Sequence, residues 1–356
     1  MTVSTDETVG LDEATLRSHC VSLLTHARVS EPDAQQTVDV FLQAELMGEE
    51  SHGLRLLCQV VERVRAGGDR AETTITVLSE RPSVAHWDAN RSLGQVTAAR
   101  AMETAIAKAR ETGVGIVAVR NGNSLTSAKY YPLMAAEAGM VGATFTNTSR
   151  KLMAPPGGRT PVLGNNPVAY AAPAGRYGAF ALDMACTAAA VERIVKANER
   201  GEQIPPGWAL DREGRETRDP AIALETLSLQ PFGGYKAFNL AAVHEIFSSV
   251  LAAGELFAGS STGFRPYDGP MNTSFTMLAI DIAAFRPRDE FESTMERMIE
   301  TMKSVPLAPE ATGISFAGER SRRELERRKV EGILLARWTF DRLNALAAEA
   351  GLPRLP

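Results

Sequence analysis

Both ends of the chain carry helical periodicity and the stretch between them does not, a contrast that limits the fold more than any single motif. From residue 11, Leu16, Cys20, Leu23, Leu24 and Ala27 form one apolar stripe. Ser30 with Asp33 three residues on is a capping-box signal and Pro32 suits a first turn. Ala34, Val38, Phe41, Leu42 and Leu46 then continue a second stripe to Gly48. A third helix is expected over 54–65, ended by Gly67 and Gly68. Helical spacing returns over 291–302 and 325–350. Between these ends, strands are expected at 73–78, 83–87, 115–119 and 140–145, with helical stretches at 97–111 and 130–138. Residues 147–183, rich in Pro, Gly and Asn, predict a long working loop. The expectation is an α/β fold in two parts: a helical domain built from both termini (1–75 with 287–356) around an α/β cofactor- and substrate-binding domain (76–286).

A chain of 356 residues can bury two packed cores, and 44% hydrophobic with 23% charged residues argues against extensive disorder. A net charge of −5 gives no basic excess for nucleic acid. Cys20, Cys58 and Cys186 form no CxxC pair, so neither a disulfide framework nor a thiolate zinc site is implied, and a reducing cytoplasm fits. The polar N-terminus lacks an apolar core, and no uninterrupted apolar stretch reaches membrane-spanning length. The chain therefore reads as soluble, unexported and cytoplasmic, with no membrane, nucleic-acid or metal partner.

Residues 113–118 match the looser dinucleotide fingerprint GxGxxA, but a helix precedes the glycines and a strand follows. That order is the reverse of what brings a helix N-terminus to a pyrophosphate. His52 lies in the polar turn Glu49-Glu50-Ser51-His52-Gly53 between two apolar helices, where an imidazole suits proton transfer and Ser51 can orient it. A surface histidine at a helix start is the bland alternative. Gly233-Gly234-Tyr235-Lys236 opens a helix expected over 238–253; it reads on its own as a glycine turn with a solvated lysine, or as backbone amides and a lysine that can hold a carboxylate or phosphate. Asp183 is an acid within an apolar stretch and needs a structural or ligand partner. His244 beside Glu245 reads as a packed helix interface; His19, His26 and His86 read as structural.

In this order, Ser51-His52-Gly53, Val119-Arg120-Asn121, Thr146-Asn147-Thr148-Ser149, Gly164-Asn165-Asn166-Pro167, Leu182-Asp183-Met184-Ala185, Gly233-Gly234-Tyr235-Lys236 and Val330-Glu331-Gly332-Ile333 resemble the malate/L-lactate dehydrogenase family that lacks a Rossmann fold. This sulfolactate dehydrogenase-like group includes ureidoglycolate dehydrogenases and piperideine-2-carboxylate reductases. The resemblance covers nearly the whole chain. It implies a non-Rossmann NAD(P)-binding domain with a largely antiparallel sheet, a homodimer, and hydride transfer to or from C2 of a small 2-oxo acid or cyclic imine carboxylate. It makes His52 the proton donor with Ser51 orienting it, places Asp183, Met184, Ala185, Ser127 and Lys236 at the cofactor, and sets Thr187 near the small-molecule substrate. Gly318, Arg320 and Arg322 would border the cofactor's far end; with Arg323 they favour NADP(H) over NAD(H).

Three positions depart from the family. The arginine expected four residues after the histidine is Leu56, with Arg55 beside it; the histidine expected after Val119-Arg120-Asn121 is replaced by Ser124; the threonine before Asn166-Pro167 is Asn165. Arg150 and Lys151 stand where a proline is common and offer a substitute carboxylate site. The changes fall on the substrate side, which suits a specialised biosynthetic substrate. The other class left open is a non-redox protein on this fold that binds a ligand or performs acid-base chemistry through His52.

Overall fold

The computed structural model describes residues 7–257, 259, 261 and 265–356; the first six residues of the polar N-terminal stretch lie outside them. The chain runs β1 (Thr8–Leu11), α1 (Glu13–His26), α2 (Glu31–Leu46), a single 3-10 turn (Glu50–His52), α3 (Leu54–Ala66), β2 (Thr76–Glu80), β3 (Val84–Asp88), α4 (Gly94–Thr112), β4 (Val114–Gly122), α5 (Tyr130–Glu137) and β5 (Met140–Thr146). It continues through β6 (Val168–Pro173), β7 (Ala179–Met184), α6 (Val191–Arg200), the short pair β8 (Ala209–Leu210) and β9 (Glu216–Thr217), and α7 (Pro220–Thr226). Then follow α8 (Tyr235–Glu245), β10 (Thr273–Asp281), α9 (Arg288–Lys303), α10 (Glu319–Glu331), β11 (Ile333–Ala336) and α11 (Arg337–Glu349). Asp12 caps α1 by accepting from the Thr15 amide, and Ser30 caps α2 by accepting from Asp33.

A seven-stranded mixed sheet ordered β2-β3-β4-β10-β5-β6-β7 forms the centre, and every neighbouring pair is antiparallel except β3 with β4. Side chains alternate across a strand, so β10 serves two cores. Phe275, Met277 and Ala279 pack with α4 and α5, whereas Leu278 joins Ala143, Phe145 and Val168 on the opposite face. The continuation of α8, a π-helical turn over Ile246–Val250, covers that second face: Phe247 stacks on Phe145, and its carbonyl accepts a hydrogen bond from Thr276. A separate apolar core joins α1, α2 and α3 to Ile333, Leu335, Leu343, Leu346 and Leu355 from the other end of the chain.

The glycines of the fingerprint-like stretch prove to be packing residues. Gly113 caps α4, and a Cβ on Gly115 would lie 1.9 Å from the Ala105 carbonyl oxygen, so only glycine lets α4 approach β4 this closely. Two expectations are corrected. The stretch 325–350 is not one helix, because α10 ends at Gly332 and Ile333–Ala336 extends to pair antiparallel with β1. The loop expected over 147–183 contains β6 and all of β7 but its last residue; their alanine-rich sequences carry little strand preference, and the sheet edge supplies the pairing that makes them strands. The expected strand over 73–78 lies at Thr76–Glu80.

Candidate active site

The turn that carries His52 is supported from behind by a buried acid. Glu45, in the last turn of α2, is 2% exposed, and its Oε1 accepts a 2.8 Å hydrogen bond from the Leu54 amide, one of the α3 amides without an intrahelical partner. A Cβ on Gly53 would lie 2.2 Å from that same oxygen, so glycine is what allows the cap and the turn to coexist. In front, Ser51 Oγ lies 2.9 Å from His52 Nδ1, both residues being exposed, which orients the ring and leaves Nε2 for another partner.

Burial pushes the Glu45 carboxyl up to about 7 from its ordinary 4.5; the Leu54 amide and Arg328 oppose the rise and Glu50 adds to it. The folded protein therefore holds this proton more tightly than the unfolded chain. The stability so gained is complete below about pH 4.5 and is lost as pH rises through about 7. Glu45→Gln has no charge to bury and should gain on the wild type by up to about 3 kcal/mol between pH 4.5 and 8, less whatever a weaker cap costs. Thermal midpoints of the two proteins measured across that range check this; parallel curves would refute it.

β7 brings Asp183 beside the turn. Asp183 is exposed, yet desolvation by the protein packed around it raises its carboxyl above the usual range; Glu49 adds to the rise, while His52, the Lys129 amide and the Lys129 ammonium oppose it. The Lys129 amide donates to Asp183 Oδ2 at 3.0 Å. The Lys129 ammonium pairs with Glu49 and donates to Ser321 Oγ, at 3.0 Å, in the first turn of α10. α10 starts on β7, where Ala181 donates to the Ala317 carbonyl at 3.0 Å and Gly318 packs on Ala181. Its far half reaches α2: Arg328 donates to the Glu45 carbonyl at 2.9 Å and pairs with Glu50 at 3.2 Å. α8 begins next to the same strand end, since Thr187 bridges to Pro231 and the Phe232 amide donates to the Cys186 carbonyl at 3.1 Å.

His52, Ser51, Asp183, Met184, Ala185, Gly318, Arg320 and Arg322 thus belong to one neighbourhood of segments, with Thr187 and the exposed Lys236 at its α8 side. Asn165 joins through its backbone, its carbonyl accepting from the Cys186 amide at 2.8 Å. Ser127 is buried two residues before Lys129. Ser124 is tied instead to α4, its carbonyl accepting from Gln95 at 2.9 Å. Arg55 is committed to an ion pair with Glu192 and stacks over Trp338, while Leu56 packs against the terminal core, so neither offers a free cation. Arg150 and Lys151 are exposed and form no ion pair among the described residues. His244 is buried, with Nδ1 2.7 Å from the Asn166 carbonyl oxygen, and serves packing. Sequence reasoning missed Lys129, Glu49 and Glu45 as members of the site. A lysine between Ala128 and the apolar start of α5 was the one available signal for Lys129.

The neighbourhood fits a nicotinamide dinucleotide. The N-terminus of α10 adjoins β7 at Ala181 and that of α8 adjoins the segment just beyond the strand, Lys236 and Arg320 are exposed, and Arg322 pairs with Glu326 while its Nε is buried without a hydrogen bond. Among the described residues no group of three or more His, Cys, Asp or Glu side chains could hold a metal ion.

Comparison with known proteins agrees. The malate/L-lactate dehydrogenase family matches over residues 11–344. Similar proteins include a malate dehydrogenase of Pyrococcus abyssi, 37% identical over 96% of this chain and 94% of that protein. A Delta(1)-pyrroline-2-carboxylate reductase of Ancylobacter novellus is 31% identical over 96% of this chain and 98% of its own length. Among solved structures, the sulfolactate dehydrogenase from Methanocaldococcus jannaschii superposes with a TM-score of 0.89 at 33% identity, covering 97% of this chain and 98% of that one. With its fold, its motif order and nearly its whole length shared in this way, the chain belongs to the malate/L-lactate dehydrogenase family.

Proposed function

We propose that the protein is an NAD(P)H-dependent oxidoreductase that transfers a hydride to or from C2 of a small 2-oxo acid or cyclic imine carboxylate. The observation that carries this reading is the meeting of a Ser51-oriented His52 with Asp183, Lys129 and the first turn of α10. When bound, the nicotinamide supplies or accepts the hydride. Asp183, Met184, Ala185, Ser127, Lys236 and the Gly318–Arg322 segment hold it, and His52 gives the proton that neutralises the developing alkoxide or amine. The relatives named above, a dehydrogenase, a reductase and a sulfolactate dehydrogenase, favour this over non-redox use of the fold.

Arg320, Arg322 and Arg323, clustered in the first five residues of α10, favour NADP(H) over NAD(H). With Arg55 engaged and Leu56 in the core, recognition of a substrate carboxylate falls to Arg150 and Lys151, with Thr187 and Asn165 nearby, and this altered set suits a specialised biosynthetic substrate. Titration of the purified protein with NADPH and NADH, read by nicotinamide fluorescence and thermal stability, tests the reading. Saturation at 100 times Kd should stabilise the fold by about 2.7 kcal/mol. No binding of either cofactor at millimolar concentration would refute it.

The terminal core supports a helical domain built from both chain ends, and the antiparallel surroundings of β10 support a non-Rossmann cofactor domain. Among the described residues no helix is long and apolar enough to cross a membrane, and the three cysteines are free, which suits the cytoplasm. A homodimer is supported by an exposed apolar stripe: Val243, Ile246, Val250 and Leu251 are exposed at successive helical spacings, beside Phe247, whose ring stacks on Phe145. Light scattering should give twice the chain mass for the wild type and the single-chain mass for Ile246→Asp. A monomeric wild type removes this assignment.

A further inference from the structure

Lys129 is an unusual place to keep a cation. It is the residue that opens α5, where the positive end of the helix dipole disfavours an ammonium, and its side chain is only 5% exposed. Neither helix stability nor solvation explains it. Its polar groups instead reach three segments far apart in sequence: the ammonium pairs with Glu49 and donates to Ser321 Oγ, and the amide donates to Asp183 Oδ2. Ser321 Oγ lies 3.4 Å from the same Glu49 oxygen, closing a small network.

We propose that Lys129 is a positioning residue of this site, fastening α10 and β7 to the His52 turn and cancelling one of the two carboxylate charges that the turn faces. The inference deepens the proposed oxidoreductase reading and rests on it for its consequence in catalysis. The charged groups around His52 are Glu49 and Glu50 on its own turn, Glu45 behind it on α2, Asp183 on β7, Lys129 at the start of α5, and Arg328 on α10, which pairs with Glu50. Arg55 and Glu192 neutralise each other on the α3 side. Without Lys129, Glu49 and Asp183 are left unopposed and a negative field favours the imidazolium. Without Glu49, the ammonium is balanced by Asp183 alone and the negative field that favours the imidazolium is weakened.

The test uses full-length protein labelled at histidine Cε1, without cofactor, the His52 signal being identified by its loss in His52→Ala. In Lys129→Met the His52 titration midpoint should rise by about half a pH unit or more, and in Glu49→Gln it should fall by a similar amount. The double variant should return close to the wild type, because both charges are gone. NADPH titration of the same proteins should show affinity weakened about tenfold in Lys129→Met, since α10 loses its tie to the turn, and largely restored in Lys129→Arg. If Lys129→Met folds poorly, Glu49→Gln removes the partner charge at nearly constant shape and carries the midpoint test alone. An unchanged midpoint, movement in the same direction in both single variants, or unaltered NADPH affinity in a folded Lys129→Met would overturn the proposal. If the wild type binds neither NADPH nor NADH, the oxidoreductase reading fails, and the midpoint measurement, which needs no cofactor, still decides the role of Lys129.

Discussion

His52→Ala should lower turnover by about 10²–10⁴-fold while leaving nicotinamide affinity within about twofold. The two readings separate because the residue sits on the 3-10 turn between α2 and α3, whereas the segments assigned to the cofactor are the end of β7, the first turn of α10 and the start of α8. Removing an exposed ring leaves the supports of the turn in place: Glu45 still caps α3, and Gly53 still packs on that carboxylate. The loss is therefore chemical. A hydride arriving at C2 leaves negative charge on oxygen or nitrogen, and without a proton donor that charge must be met by water. Steady-state turnover and fluorescence titration of NADPH on the same preparation measure both quantities. Unchanged turnover would take His52 out of the mechanism, and a matching loss of cofactor affinity would make it a binding residue instead.

Asp69→Ala should destabilise the protein by about 3–5 kcal/mol, a larger loss than most single substitutions bring. Arg63 is fully buried at the end of α3, its Nε donates to Asp69 Oδ1 at 2.7 Å, and its Nη2 donates to the Gly269 carbonyl at 2.8 Å. Asp69 is 3% exposed, and burial pushes its carboxyl up to about 6 even though Arg63 pulls it down, so desolvation outweighs the attraction of the pair. The pair is thus costly to bury, and costlier still to break, because alanine removes the carboxylate that balances the buried charge of Arg63. Urea unfolding should show a lower midpoint for Asp69→Ala, and replacing both partners by apolar residues, as in Arg63→Met with Asp69→Leu, should recover most of the loss. A change below about 1 kcal/mol in Asp69→Ala would mean that the guanidinium finds water or another partner.

Local signals explain what was legible in advance. The cap of α2, the end of α3 at Gly67 and the apolar stripes of the first two helices are set by residues within a turn or two of one another, and the structure places them where spacing does. The His52 turn was legible for the same reason: a polar pair with a glycine between two apolar helices is a short-range pattern, and Ser51 needs only its neighbour to orient the ring. The rejected fingerprint belongs here too, since helix before glycine and strand after can be read from order alone.

Other features depend on partners that the sequence does not place together. Ile333–Ala336 reads as helix until β1, at the opposite end of the chain, offers it a ladder. β6 and β7 have weak strand preference and extend because the edge of the sheet is there to pair with. Arg55 looks like a free substrate clamp until α6 brings Glu192 to it, and Lys129 looks like an incidental surface lysine until Glu49, Asp183 and Ser321 close around it. The sequence by itself determined the first three helices, the cap of α2, the chemistry available at His52 and the family resemblance, because each is written in residues close in the chain or in the order of short motifs. Only the tertiary structure decided which charges are neutralised and which strands exist, because an ion pair or a ladder forms only when folding brings distant residues within hydrogen-bonding distance.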